Sequence, residues 1–213
     1  MTLAAWASVP AEGKILDVGT GCGVIALICA QRSAGALIDS IDIDSPSIEE
    51  AIMNFSSSPW QERLTAKKAD FIEEFGTDVT ERYDLIISNP PFFDSGANPE
   101  ESARLRARHK GSLSPETILD KASRLLSDKG IVAMIVPADQ SDEIVRHAET
   151  RNLFVKRSIF MSGRRGKEPK RFLVEFCRIK GTIAHSEVLY IKDENDNFSE
   201  EYKRLCKDLY LAF

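Results

Sequence analysis

An apolar run, Lys14–Val18 (KILDV), leads without a break into the glycine cluster Gly19-Thr20-Gly21-Cys22-Gly23, and a helix-like stretch from Val24 to Arg32 follows at once. A strand that enters a glycine loop and leaves as a helix opens a βα unit, and the rest of the chain repeats that rhythm. Strand-like runs at Ala36–Asp42, Leu64–Ala69, Tyr83–Ser88 and Gly130–Val136 alternate with helix-like stretches at Ser47–Phe55, 115–127 and Ser141–Arg151. Ser45-Pro46 and Ser114-Pro115 are start signals for two of these helices. Two further strands are predicted near 153–160 and 171–178, close enough to pair antiparallel, then a strand at Val188–Ile191 and a helix from Ser199 to Leu211. Alternation of this kind predicts an α/β fold, a parallel sheet covered on both faces. We expect one domain over residues 1–213, with a core of about 11–180 and the segment 181–213 packed on it. Asp94–Ser112 and Ser162–Lys170, rich in Gly, Pro and charge, are expected to be mobile loops.

Composition narrows the class. Eleven Phe, four Tyr and two Trp are enough for a sizeable core. No apolar run approaches the roughly 18 residues of a membrane span, and Met1 to Pro10 lacks a basic segment followed by a long apolar stretch. Cys22, Cys29, Cys177 and Cys206 are scattered without paired ligand spacing, so no metal site or disulfide framework is expected and a cytoplasmic location is the simpler reading. The net charge is −5, yet residues 151–180 hold ten Lys/Arg against two Glu. Such asymmetry marks either a polyanion-facing side or a solvated strand pair with uneven charge.

Four elements carry chemistry. The first is Asp17-Val18-Gly19-Thr20-Gly21-Cys22-Gly23, whose glycines let the backbone turn sharply and approach a ligand, while the next helix offers unpaired N–H groups. Its spacing is GxGxG, not the GxGxxG of dinucleotide sites, and a plain tight βα turn is the alternative. The second is Asp42, at the end of the second strand with Ile43 beside it, where a carboxylate accepts from both hydroxyls of a ribose; Asp44 competes, or caps the next helix. The third is Ala69-Asp70-Phe71, in which an acid beside an aromatic suits the amine and face of an adenine; otherwise Asp70 is a loop-entry residue. The fourth and sharpest is Asn89-Pro90-Pro91-Phe92. Two prolines remove two N–H donors, so the loop exposes carbonyl acceptors beside the Asn side chain, and an aromatic at 92 can stack on a flat substrate.

In this order and spacing the elements resemble class I methyltransferases that use S-adenosylmethionine, in the branch that methylates planar amines. That resemblance implies a Rossmann-like fold: a mainly parallel seven-stranded sheet, the last strand antiparallel, with helices on both faces. It implies a cofactor site of Asp17, Gly19, Thr20, Gly21, Gly23, Asp42, Ile43, Asp70, Phe71 and Asn89, and a catalytic loop of Asn89, Pro90, Pro91 and Phe92. Ala5-Trp6-Ala7, Ser58-Pro59-Trp60-Gln61-Glu62-Arg63, Ile87-Ser88-Asn89-Pro90-Pro91-Phe92-Phe93 and Tyr202…Tyr210-Leu211 extend the likeness along most of the chain. These segments are similar to the bacterial tRNA-valine (adenine-N6) methyltransferase family, which acts on the adenosine 3′ of the anticodon. Members of that family carry a further stretch before the Ala-Trp segment; this chain begins at Met1, next to that point.

The resemblance implies tRNA as substrate, no membrane and no obligate protein partner. The target base is expected to be flipped out of its stack, with Phe92 on its face and Asn89 and the Pro90 carbonyl accepting its two N–H groups. Arg104, Arg106, Arg108 and Lys110, and a second cluster of Arg164, Arg165, Lys167, Lys170 and Arg171, are the expected phosphate contacts. Methylation of a ribosomal guanine or of a protein glutamine, and RNA binding without turnover, are the competing readings. The glutamine enzymes carry a long helical domain before the glycine loop, and only 18 residues precede Gly19 here.

Overall fold

The computed structural model describes residues 1–75, 82–91, 113–181 and 188–210 and, for the backbone alone, 184–185. The segment Asp94–Ser112 and the residues Phe92, Arg104, Arg106, Arg108 and Lys110 lie outside the described residues. In chain order the elements are α1 (Thr2–Trp6), β1 (Lys14–Val18), α2 (Val24–Arg32), β2 (Leu37–Asp42), α3 (Ser45–Ser56), β3 (Leu64–Lys68), α4 (Phe71–Glu74) and β4 (Tyr83–Ser88). Then come α5 (Pro115–Leu125), β5 (Leu126–Pro137), α6 (Ser141–Thr150), β6 (Phe154–Arg164), β7 (Arg171–Cys177), β8 (Ala184–His185), β9 (Leu189–Lys192) and α7 (Glu200–Cys206).

Among the described residues, nine strands form one sheet in the order β3-β2-β1-β4-β5-β7-β6-β8, with β9 also on β6. β1 to β5 are parallel. β7 slots between β5 and β6 and runs antiparallel to both. The first seven strands therefore match the expected class I methyltransferase arrangement, and β8 and β9 are short parallel additions to β6. Strand order reverses at β1, which sends β2 and β3 to one side and β4 and β5 to the other. Such a switch point leaves a crevice beyond the carboxyl ends of the strands.

Each face of the sheet buries its own apolar layer. Leu16, Val18, Ile86, Val132, Met134 and Val174 meet Ile118, Leu119 and Ala122 of α5 and Ile144 and Ala148 of α6. On the other face Ile15, Ile38, Leu85, Ile87 and Ala133 meet Leu3 and Ala4 of α1, Ala26 and Ile28 of α2, and Ala51 and Phe55 of α3. Both faces are covered, which is why the central strands read as continuous apolar runs. A third cluster joins Leu189 of β9 to Tyr202 and Cys206 of α7.

Helix starts follow the predicted chemistry. Ser114 Oγ accepts from the Thr117 N–H at 3.2 Å, Ser199 Oγ from the Tyr202 N–H at 3.1 Å, and Asp44 Oδ2 from the Ser47 N–H at 3.0 Å. The cap of α3 is thus Asp44, and the helix begins at Ser45, two residues earlier than expected. The loop expected at Ser162–Lys170 is shorter, because β6 continues to Arg164 and only residues 165–170 form the turn. Ser162 and Arg164 pair with Tyr190 and Lys192 of β9. Ser162 Oγ donates to the Arg164 and Lys167 carbonyls (3.0 and 2.8 Å), and the Lys170 N–H donates to the Met161 carbonyl at 3.0 Å. The strand that organises this hairpin comes from 25 residues further on, beyond the reach of local propensity.

A buried charge pins the start of the chain to the middle of the sheet. Glu175, on β7, is fully buried. It accepts from Arg157 Nε at 2.8 Å, from Ser8 Oγ at 2.9 Å and from the Ser8 N–H. The Arg157 guanidinium also donates to the Trp6 carbonyl and lies 4.1 Å from the centre of the Trp6 ring. Removing one partner of a buried pair costs about 3–5 kcal/mol. Arg157 keeps 35% of its side-chain exposure, which screens part of the effect, so Glu175→Ala should lower the urea-unfolding free energy by about 2–3 kcal/mol. A loss under about 0.5 kcal/mol, the range of ordinary surface changes, would show that the pair does not hold the N-terminal segment.

Candidate active site

The glycine loop is built on left-handed backbone. Gly19, Gly21 and Gly23 have φ of 71°, 55° and 82°, a region that side chains with a Cβ enter only at a cost. Gly23 has a second reason to be glycine: a Cβ there would lie 2.4 Å from Cε1 of Phe55. The loop is tied down at several points. The Gly19 and Thr20 N–H groups donate to the Ile41 carbonyl at 2.9 and 3.1 Å, and Asn54 Nδ2 donates to the Cys22 carbonyl at 2.9 Å.

Asp17 lies beneath this loop and does not line the cleft. Its carboxylate is fully buried, with Oδ2 accepting from the Thr20 hydroxyl at 2.6 Å. Oδ1 has no hydrogen-bond partner among the described residues. Burial pushes this carboxyl up to about 7; the Thr20 hydrogen bond opposes the shift and the nearby Asp42 charge adds to it. Asp17 and Thr20 thus shape the loop from below.

Asp42 stands at the carboxyl end of β2 and joins both halves of the cleft. Its Oδ2 accepts from the Gly21 N–H at 2.9 Å and its Oδ1 from the Asp44 N–H at 3.0 Å. The cleft is lined by Val18, Gly19, Ile41, Asp42, Ile43, Ala69, Asp70, Phe71 and Leu113. Ile43 is 65% exposed, an apolar lip at the mouth. Asp70 caps α4, its Oδ1 accepting from the Ile72 N–H at 2.8 Å, and remains half-buried at the cleft. Phe71 is a core residue, 3% exposed and edge-on to Phe75. Leu113 went unnoticed in sequence because it belongs to no motif, yet it sits 3.0 Å from where a Gly19 Cβ would be. These residues fit a nucleoside-bearing cofactor. Asp42 offers acceptors suited to ribose hydroxyls, Asp70 a carboxylate near an amine, Ile43 and Leu113 apolar surface, and the space over Gly21 is open.

Asn89, Pro90 and Pro91 leave the carboxyl end of β4 on the same edge. Ser88, buried, donates its hydroxyl to the Val18 carbonyl at 2.7 Å, fastening the end of β4 to the mouth of the glycine loop. Beyond it Asn89 is exposed and Pro90 buried. A larger cavity of about 370 Å³ lies at the opposite edge, where α2 ends, lined by Ala5, Gln31, Arg32, Leu205, Asp208 and Leu209; it is remote from every element of the motif.

The second basic cluster also reaches the carboxyl edge. β7 is antiparallel, so the β6–β7 turn projects beside the end of β5, where Pro137 pairs with Arg171. Arg164, Arg165, Lys167 and Lys170 are exposed there. Arg165 is engaged at the surface, 3.4 Å from Glu201, 3.5 Å from Glu194 and over the Tyr190 ring.

The raised Asp17 value has a sign that can be checked. The folded state holds a proton that the unfolded chain, with its carboxyl at an ordinary 3.8, has lost. This group's contribution to stability therefore falls as pH rises from about 4 to about 7 and is level above that. Asp17→Asn removes the dependence. Its stability relative to the parent should rise between about pH 4.5 and about pH 7.5 in urea-unfolding experiments. A gap that stays constant would mean that the carboxylate is charged in the folded protein throughout.

Comparison with known proteins agrees with this geometry. The Methyltransferase small domain family matches residues 2–145. The chain is 34% identical over 212 residues to the tRNA1(Val) (adenine(37)-N6)-methyltransferase of Tolumonas auensis, covering 99% of this chain and 87% of that protein. With the enzyme of the same name from Trichodesmium erythraeum it is 37% identical over 213 residues, covering 99% and 88%. Among solved structures, a protein of Agrobacterium tumefaciens described as a predicted O-methyltransferase superposes with a TM-score of 0.75 at 18% identity, over 97% of this chain and 94% of that one. A TehB-like SAM-dependent methyltransferase from Corynebacterium glutamicum gives 0.56 at 19% identity, over 84% and 85%. At such identities these two establish the fold alone. Family match, near-full-length relatives and a class I fold agree: the chain is a methyltransferase of the Methyltransferase small domain family and belongs with the tRNA1(Val) (adenine(37)-N6)-methyltransferases.

Proposed function

We propose that this enzyme methylates the exocyclic N6 of adenosine 37 in valine tRNA, in the cytoplasm, with S-adenosylmethionine as donor. The observation that carries the reading is the Ser88–Val18 hydrogen bond of 2.7 Å, which sets Asn89-Pro90-Pro91 beside the glycine loop and the Asp42 cleft. S-adenosylmethionine, when bound, supplies a methyl group on a positively charged sulfur. Gly19, Gly21, Asp42, Ile43 and Asp70 would hold it, with Asp17, Thr20 and Gly23 keeping the loop in shape and Phe71 supporting the cleft from the core.

The remaining task is to make a poor nucleophile react. The lone pair of the adenine N6 is delocalised into its ring. Two acceptors aimed at its N–H groups, the Asn89 side-chain oxygen and the Pro90 carbonyl, draw the nitrogen toward tetrahedral geometry and turn its lone pair toward the cleft. They also stabilise positive charge as it develops on nitrogen. The surplus proton then becomes acidic and leaves to water. The base must be flipped to reach this position, and Phe92 is its proposed stacking partner. The basic hairpin, chiefly Arg164, Lys167, Lys170 and Arg171, supplies charge for the RNA backbone, together with Arg104, Arg106, Arg108 and Lys110.

The decisive experiment incubates unmodified bulk tRNA with the enzyme and deuterium-labelled S-adenosylmethionine, followed by nucleoside mass spectrometry. Labelled N6-methyladenosine, mapped to the anticodon loop of valine tRNA, is expected; a labelled guanosine, or transfer only to protein, overturns the reading. Asn89→Ala should lower kcat by about 100-fold or more, as for loss of one polar group that stabilises developing charge, with cofactor affinity within about twofold. Equal losses in both would move Asn89 from the reacting amine to the cofactor. Asp42→Ala should do the reverse, weakening cofactor binding by about tenfold or more in calorimetry, the worth of hydrogen bonds to a charged group. An unchanged Kd would remove Asp42 from the site.

A further inference from the structure

Phe160 is the one large aromatic among the exposed hydrophobic side chains of the described residues. Isolated apolar side chains on a surface are ordinary, and Leu37, Ile52, Met53 and Ile179 belong to that background. Phe160 differs in three respects. First, it is held: its ring centre lies 4.8 Å from that of Phe172, its direct cross-strand partner, at an interplanar angle of 39°. Phe172 is 5% exposed and part of the core, whereas Phe160 keeps 37% of its surface in solvent. A ring braced in this way loses little further freedom when something packs on it.

Second, its position is set by register. Phe160 pairs with Phe172, Phe172 with Val136, and Val136 lies two residues beyond Met134, the partner of Ser88. Phe160 is therefore level with Pro90 on the carboxyl edge, three strands away. At about 4.8 Å per strand the separation is roughly 14 Å. That is too far for the base held at Asn89 and close enough for another nucleotide of the same RNA.

Third, a cation-rich turn follows it closely along the chain. β6 ends at exposed Arg164, and the turn after it carries exposed Lys167, Glu168 and Lys170; the Lys170 N–H is bonded to the carbonyl of Met161, the residue next to Phe160. Arg165 is engaged by Glu194 and Glu201 and contributes less to this field. A partly exposed aromatic ring on the strand that leads into a cation-rich turn suits the binding of unstacked nucleotides. The cations hold the phosphates, and a base lies on the ring.

We propose that Phe160 is a stacking platform for a nucleobase of the bound RNA, a subsite separate from the one that holds the methylated base. The proposal rests on the tRNA reading above and specifies where a second nucleotide is gripped.

The test uses the full chain and unmodified valine tRNA, with Kd from filter binding across a salt series. Phe160→Ala and Phe160→Leu should both raise Kd by about tenfold, as expected for loss of one base–aromatic stack, and Phe160→Trp should restore it. The slope of log Kd against log salt should be unchanged in all three, whereas Lys170→Gln should reduce it by about 0.7–0.9. Trp fluorescence of Phe160→Trp, read against the parent with its Trp6 and Trp60, should be quenched on adding RNA. If Phe160→Leu binds as the parent does, the role is packing on Phe172 and the proposal falls. It falls as well if Phe160→Ala binds normally. Should the parent neither bind nor methylate tRNA, the underlying reading falls with it; an active parent beside indifferent variants overturns the stacking subsite alone.

Discussion

The parallel pairing of β1 with β4, residue by residue from Ile15 and Leu85 to Val18 and Ser88, is the contact on which the rest of the molecule depends. It joins two halves of the sheet that grow in opposite directions, and it ends both strands at the same height. One strand end becomes the glycine loop and the other becomes Asn89-Pro90-Pro91. Neither loop has far to reach, because adjacent strands are only about 4.8 Å apart. β2 then brings Asp42 to that height, and the Ala69 N–H donates to the Asp42 carbonyl at 2.9 Å, so β3 delivers Asp70 beside it. The cleft is the common endpoint of strands whose register is fixed elsewhere, by the apolar layers on both faces.

Much of this was legible because parallel strands announce themselves. KILDV and YDLIIS are nearly unbroken apolar runs, since both faces are buried, and α2 falls on the expected Val24–Arg32. The motif residues Asp42, Asp70 and Asn89 reach one edge because each ends or follows a strand. Less legible were features that depend on distant partners. Helices α1 and α4 are five and four residues long, too short to show periodicity. The continuation of β6 through Gly163 needs β9 beside it. Leu113 enters the cleft from α5's leading edge with no motif to mark it. Phe71, next in sequence to the cleft acid Asp70, turns instead into the core, because α4 begins there and its apolar face must be buried.

Glu175 illustrates a different limit. An acid within RFLVEFC reads as one charge in an apolar strand, and its partners come from the start of the chain and from β6. The segments that carry the family likeness behave similarly. Trp6 lies under the Arg157 guanidinium. Arg63 donates to the Ala30 carbonyl at 2.9 Å and to the Ser33 hydroxyl at 3.0 Å, closing the carboxyl end of α2. Tyr202 reaches Thr2 and Tyr210 through its hydroxyl. Outside the Asn-Pro-Pro loop, the residues quoted for the likeness fasten the N-terminal helix, α2 and the C-terminal helix to one face of the sheet. Their shared burden is architectural, and the chemistry sits on the opposite margin of that architecture.

The antiparallel insertion of β7 has a consequence for how such an enzyme changes over generations. A parallel β7 would require a crossover, and its connection would be locked beneath helices. As a hairpin, the β6–β7 connection needs no crossover; β9 braces its base, and its tip at Gly166 has left-handed backbone and no neighbour within 4 Å of its Cβ position. Residues can be exchanged or added there without disturbing the register of β1 to β5. The hairpin tip and the cleft at the ends of β1 to β4 are therefore separable units of variation. A lineage can lengthen or recharge that single turn while its cofactor cleft is inherited unaltered.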